Sequence, residues 1–120
     1  MSDTAIIDPQ AIKNLRDLNS GEEDEFLHEI IGIFLEDTPQ RIAELDLSLA
    51  MHDAKTFARS AHSIKGSASN LGAIQLRSVA ESLEQLSRKG GLVEVSALVD
   101  AVKNEFARAQ VELTKLLPAR

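Results

Sequence analysis

Cysteine, tryptophan and tyrosine are all missing from the 120-residue chain, and four phenylalanines are its only aromatic residues. Without cysteine there is no disulfide, no thiolate nucleophile and no Cys-based zinc site, a composition that fits a reducing compartment. The scarcity of aromatics, beside an apolar fraction drawn mostly from Leu, Ile, Val and Ala, suits helix packing better than sheets. Cationic residues are short as well: 13 Lys and Arg face 19 Asp and Glu, a formal net charge of −6. That balance argues against nucleic acid, whose phosphates need a cationic surface. No apolar run approaches the roughly 20 residues that span a bilayer. The opening MSDTAIIDPQ lacks the basic start and apolar core of a signal peptide. The expectation is a cytoplasmic protein without membrane insertion.

What is present is ordinary for a folded globule, with 43% hydrophobic and 27% charged residues. The length suits one domain over residues 1–120. Asp8-Pro9 reads as an N-cap followed by proline at the first helical position, with Ile12, Leu15 and Leu18 at helical spacing until Asn19-Ser20-Gly21. A second, long helix opens in the acidic run GEEDE from Glu22. Its stripe is Phe26, Ile30, Ile33 and Phe34 with Leu27 and Ile31, continued by Ile42, Leu45 and Leu49. Pro39 lies inside this pattern and either kinks one helix or restarts another, the kink being preferred.

After a turn at His52, Asp53 is the expected N-cap of a third helix that runs to about Asn70, with Gly72 a left-handed C-cap. The fourth helix carries Leu76, Val79, Leu83 and Leu86 and ends at Lys89-Gly90-Gly91. The fifth carries Val95, Val99, Val102, Phe106, Ala109, Leu113 and Leu116 up to Pro118. Short connections between long amphipathic helices predict an all-α, antiparallel up-down four-helix bundle over 22–117. The tail and short helix of 1–21 cap one end. The apolar seams find partners within one bundle, so a monomer is expected.

The stretch AHSIKGSASNLG, Ala61 to Gly72, carries the chemistry. Phe57, Ala61, Ile64, Ala68 and Leu71 form one helix face at about 100° per residue, which leaves His62 roughly 140° and Gly66 roughly 180° from its centre. Lys65, Gly66 and Ser69 follow His62 at i+3, i+4 and i+7, on or beside one exposed strip. A mid-helix glycine costs about 0.5–1 kcal/mol relative to alanine, and an outward one gains no core packing in return. A bare backbone one turn from an imidazole admits a partner surface or a bulky group carried on the ring. The Lys65 ammonium suits a dianion there. The set fits an imidazole that carries phosphate.

At this point the chain resembles the histidine-containing phosphotransfer (HPt) domains of phosphorelays. The resemblance rests on Ala61-His62-Ser63-Ile64-Lys65-Gly66, on Gly72-Ala73, and on FLEDTPQRIAEL from Phe34 to Leu45, and it covers about Glu22 to Leu117. It implies that His62 is the phosphoacceptor between receiver-domain aspartates, that Lys65 balances the charge, and that Gly66 leaves room. Gly72 would end the helix and Ser69 would offer a hydroxyl to the phosphate. Glu84, roughly 100° from the fourth helix's seam, would hydrogen-bond the ring nitrogen that is not phosphorylated. Gly32 and Leu35, placed away from the second helix's core stripe, are further docking candidates. The resemblance also implies that receiver domains are the partners and that any Mg²⁺ is theirs.

The chain itself should be a carrier rather than an enzyme, with no cofactor, because GxxxxGK[ST] and GxGxxG are both absent. No metal site is expected: His28 falls on an outer helix face, His52 in a turn, and no HExxH occurs. Two other readings stand beside the relay. One is a helical adaptor or inhibitor that docks a kinase or receiver without carrying phosphate. The other is the phosphoacceptor domain of a chemotaxis-type kinase.

Overall fold

The structure, a computed structural model, describes residues 6–18, 24–90, 92 and 95–118. Among these residues are five helices: α1 Pro9–Leu18, α2 Glu25–Ala50, α3 Ala54–Leu71, α4 Ile74–Gly90 and α5 Ser96–Thr114. The expected breaks at Asn19 to Gly21 and at Gly91 lie outside the described residues, as does Glu22. Contacts run from α2 to α3, α3 to α4, α4 to α5 and back from α5 to α2, so four helices close a ring around one core. Two connections are only three and two residues long (51–53 and 72–73), which forces each helix to return antiparallel along its predecessor.

Helix α2 buries Leu27, Ile31, Phe34, Thr38, Ile42, Leu45 and Ser48, spaced by three or four residues throughout. It continues through Pro39 as one helix, which excludes a restart. Pro39 faces solvent, where the carbonyl deprived of its N–H donor can bond to water. Thr38 buries a hydroxyl that has no hydrogen-bond partner. The start is less regular than the acidic run suggests: Asp24 is left-handed (φ 58°), and its side chain makes no cap hydrogen bond.

Three residues expected on buried stripes are exposed: Leu18 (71%), Ile33 (57%) and Leu86 (41%). On α2 the packed stripe turns toward Leu35, and Ile33 falls about 120° from its centre. On α4 the buried line is Leu76, Ala80, Leu83 and Ser87. Val79 is partly buried against this core, while Leu86 falls beyond its edge.

Helix α3 matches its expected stripe: Phe57, Ala61, Ile64, Ala68 and Leu71 are all buried. Asp53 caps it, its Oδ1 accepting from the Thr56 amide at 3.1 Å. Gly72 ends it at φ 71°, with Ala73 N–H donating to Ala68 O (2.8 Å) and Gly72 N–H to Ser69 O (3.2 Å). This is a Schellman ending. On α5, Val99, Val102, Phe106, Ala109 and Leu113 are buried, and Phe106 meets Phe34 of α2 with ring centroids 5.4 Å apart.

Helix α1 does cover one end. Asp8 Oδ1 accepts from the Gln10 amide (3.0 Å), and the Asp8 amide donates to Gly72 O (2.8 Å). Ile7 bridges to Ala73, and Ile12 is buried against the core. The α3–α4 turn is thereby seated under α1.

Candidate functional site

His62 projects from the middle of α3 on the side of α4, with 62% of its side chain exposed. Its Nδ1 lies 3.0 Å from Glu84 Oε2. This partner on α4 lies closer to the core than its expected flanking position, roughly 100° from the seam. Because the buried line of α4 includes Ala80 and Ser87, Glu84 stands only about 70° from its centre, and its side chain is 11% exposed. Lys65 Nζ reaches Glu84 Oε1 at 2.9 Å, and Arg88 holds Oε2 through Nη2 at 3.0 Å and Nε at 3.2 Å.

Glu84 is therefore a carboxylate drawn into the protein and surrounded by donors. Burial, the largest single influence on it, opposes ionisation. Hydrogen bonds from Lys65, Arg88 and His62 together outweigh burial and bring its pKa from the ordinary 4.5 down to about 2. An ionised carboxylate can only accept, so at neutral pH the Nδ1 of His62 carries the proton that joins them. The outward Nε2 of a neutral ring is then the nitrogen with a free lone pair.

The other expected site residues divide sharply. Gly66 is exposed, and a Cβ built on it meets nothing within 4 Å, so the space beside His62 is open. Gly72, which ends α3 as its C-cap, is buried and takes no part in the exposed strip. A Cβ there would lie 2.7 Å from Ala11 Cβ and 3.0 Å from Asp8 Cβ, so its absence lets α1 sit on the turn. Ser69 is exposed but stands two turns, about 10 Å along the axis, beyond His62. Helical side chains lean toward the N-terminus, which carries the imidazole further from Ser69.

On α2, the Ser60 hydroxyl donates to Glu44 at 2.8 Å and fixes the register against α3. With antiparallel helices, residue 42 then lies level with His62. Gly32, exposed with open space around it, is roughly 15 Å away along the axis. Leu35 is half-buried and packed on the core, because the α2 stripe reaches further round at that level than its pattern suggests.

Arg88 escaped the sequence reading. Its signal was present: Glu84 and Arg88 are at i and i+4, the spacing at which opposite charges meet on a helix. A second polar cluster also went unseen, a groove of about 320 Å³ between α2 and α3 lined by Arg41, Glu44, Thr56, Arg59, Ser60 and Ser63. Among the described residues no group of three or more His, Asp or Glu is placed to hold a metal ion. No helix there is long and apolar enough to cross a membrane.

The fold and site define a class: a helical bundle that displays one imidazole, oriented by a carboxylate from the neighbouring helix, beside an open glycine. The chain belongs to the Hpt domain family, whose model matches residues 29–112. Over 84 residues it is 29% identical to Multistep phosphorelay regulator 1 of Schizosaccharomyces pombe (strain 972 / ATCC 24843). That stretch is 70% of this chain and 28% of that protein, so the chain spans little more than a quarter of the relative's length. The crystal structure of histidine-containing phosphotransfer protein B from Pseudomonas aeruginosa PAO1 superposes with a TM-score of 0.84 at 28% identity, covering 94% of this chain and 95% of that one. The HPT domain of a sensor hybrid histidine kinase from Shewanella shares the fold, with a TM-score of 0.76 at 14% identity over 95% and 97% of the two chains.

Proposed function

We propose that this domain relays a phosphoryl group between receiver-domain aspartates through Nε2 of His62. The observation that carries this reading is the 3.0 Å hydrogen bond from Nδ1 to the Glu84 carboxylate beneath an otherwise exposed ring. In the forward step the Nε2 lone pair attacks the phosphorus of an aspartyl phosphate. The P–N bond forms, the P–O bond to the aspartyl carboxyl breaks, and the carboxylate leaves with the bonding pair. The product ring keeps its Nδ1 proton and gains a positive charge, which the Glu84 carboxylate faces directly. Transfer to a second aspartate reverses each step.

Lys65 and Arg88 serve both partners in this scheme. Each holds Glu84 while retaining further N–H donors, three being available on an ammonium and five on a guanidinium. These donors are within a side chain's swing of the phosphoryl oxygens on a modified His62. Gly66 leaves the approach clear. Catalysis by the chain is confined to positioning and charge balance, which is most of what phosphoryl transfer asks of a protein. The domain thus acts as a carrier without a cofactor of its own, and the divalent cation belongs to the receiver. We assign it to the cytoplasm as a monomer.

The test is transfer from receiver domains carrying labelled aspartyl phosphate to wild type and to His62→Gln. Wild type alone should gain an acid-labile, alkali-stable label, while both proteins keep the same helical circular dichroism. Equal binding of both proteins to a receiver, with no label on either, would favour a docking or inhibitory bundle. Label acquired only from a kinase's ATP-binding domain would favour the chemotaxis-type phosphoacceptor.

A further inference from the structure

Helix α3 holds Lys55, Arg59 and Lys65 and no acidic residue, in a chain whose net charge is −6. Lys65 is committed to Glu84. Among the described residues, the Lys and Arg side chains without an ion pair are Lys55, Arg59 and Lys89; the other nine described cations each have a carboxylate within 4 Å. Two of these three stand at i and i+4 on α3, both exposed. Arg59 is three residues before His62, hence its neighbour on the helix surface, and the imidazole leans toward it. Arg59 also borders the α2–α3 groove, whose lining includes Ser63, the residue after His62.

The carboxylates that face this strip are already engaged. Glu44 accepts from Ser60 and Arg41, and Asp53 accepts from the Thr56 amide at the helix cap. Their own hydrogen bonds are the main reason both are held below the usual carboxylate range, and Arg59 adds a smaller pull on each. Both stay ionised at the edge of the strip, yet α3 itself contributes three cations and no carboxylate beside His62 in an acidic protein.

We propose that Lys55 and Arg59 steer an acidic partner face onto His62 and set the rate of productive encounter. This rests on the relay reading above and adds the chemistry of recognition to it. A donor that presents an aspartyl phosphate with a divalent cation must surround them with carboxylates. At net charge −6 the chain as a whole repels such a face. A local cationic strip with a free path to the ring reverses the sign where contact is needed, which raises the association rate and makes it depend on salt.

The experiment measures the second-order rate of transfer from a receiver domain charged with acetyl phosphate, between about 50 and about 500 mM NaCl, a range that shortens the screening length several-fold. The full chain is compared with Lys55→Glu/Arg59→Glu, with the milder Lys55→Gln/Arg59→Gln, and with Lys13→Glu on α1 as a remote control. Chemical labelling of each protein by phosphoramidate reports the ring itself. The Glu pair should slow transfer about ten-fold at low salt and flatten the salt dependence, a size typical of steering. The Gln pair should fall between, and Lys13→Glu and all phosphoramidate rates should match wild type. Transfer within about two-fold of wild type at every salt concentration would overturn steering and leave the relay standing. Absence of transfer to wild type from every receiver would remove both.

Discussion

Glu84 offers the sharpest quantitative consequence of the site. A carboxyl whose pKa falls from the ordinary 4.5 to about 2 on folding adds about 3 kcal/mol of stability at neutral pH, at roughly 1.4 kcal/mol per tenfold change in proton affinity. Its side chain is only 11% exposed, so solvent screening does not erase this. Because the folded pKa is the lower one, the unfolded chain takes up the proton first. The contribution is fully present above about pH 5 and drains away as the pH falls toward 2. The assay is urea denaturation followed by circular dichroism from pH 7 to pH 2, on wild type and Glu84→Gln. The glutamine keeps the size and the acceptor oxygen but cannot titrate. Wild type should lose about 3 kcal/mol more than Glu84→Gln over this span, the difference cancelling the other carboxylates. Parallel profiles, separated by a constant offset within about 0.5 kcal/mol, would refute the idea that Lys65, Arg88 and His62 overcome the burial of this acid.

The two glycines of the motif should respond oppositely to alanine. Gly66→Ala fills empty space in a helix interior, so it should raise stability by about 0.5–1 kcal/mol while slowing transfer from a receiver; a destabilised variant would mean that the glycine is structural. Gly72→Ala places a Cβ 2.7 Å from Ala11 Cβ at φ 71°, which should cost about 2–4 kcal/mol and loosen α1. Hydrogen exchange at the Asp8 amide, now bonded to Gly72 O, reads that loosening, and unchanged protection would contradict the seating of α1.

The helices, the core side of α3 and the outward face of His62 are readable from the residues alone. These follow from residue spacing along one helix, and a periodicity of 3.6 residues needs no knowledge of the neighbours. Asp53 and Gly72 were legible as caps for the same local reason: one hydrogen bond to a nearby amide and one left-handed backbone conformation. Local logic misled where two elements meet. Leu86 and Ile33 fit an apolar pattern and yet face solvent, because the line through which each helix packs is centred away from them.

The rotation of each helix is a property of the packed bundle. It draws Glu84 into the protein, where Lys65 from α3 and Arg88 one turn along α4 keep it ionised under the His62 ring. Packing likewise seats α1 over Gly72, the α2–α3 register leaves Gly32 about 15 Å down the bundle from His62, and Lys55 and Arg59 have no carboxylate within ion-pair distance. The motif names the reactive ring; its tautomer, its buried counter-charge and the sign of the surface beside it depend on how neighbouring helices turn toward one another, and no spacing within one helix encodes that.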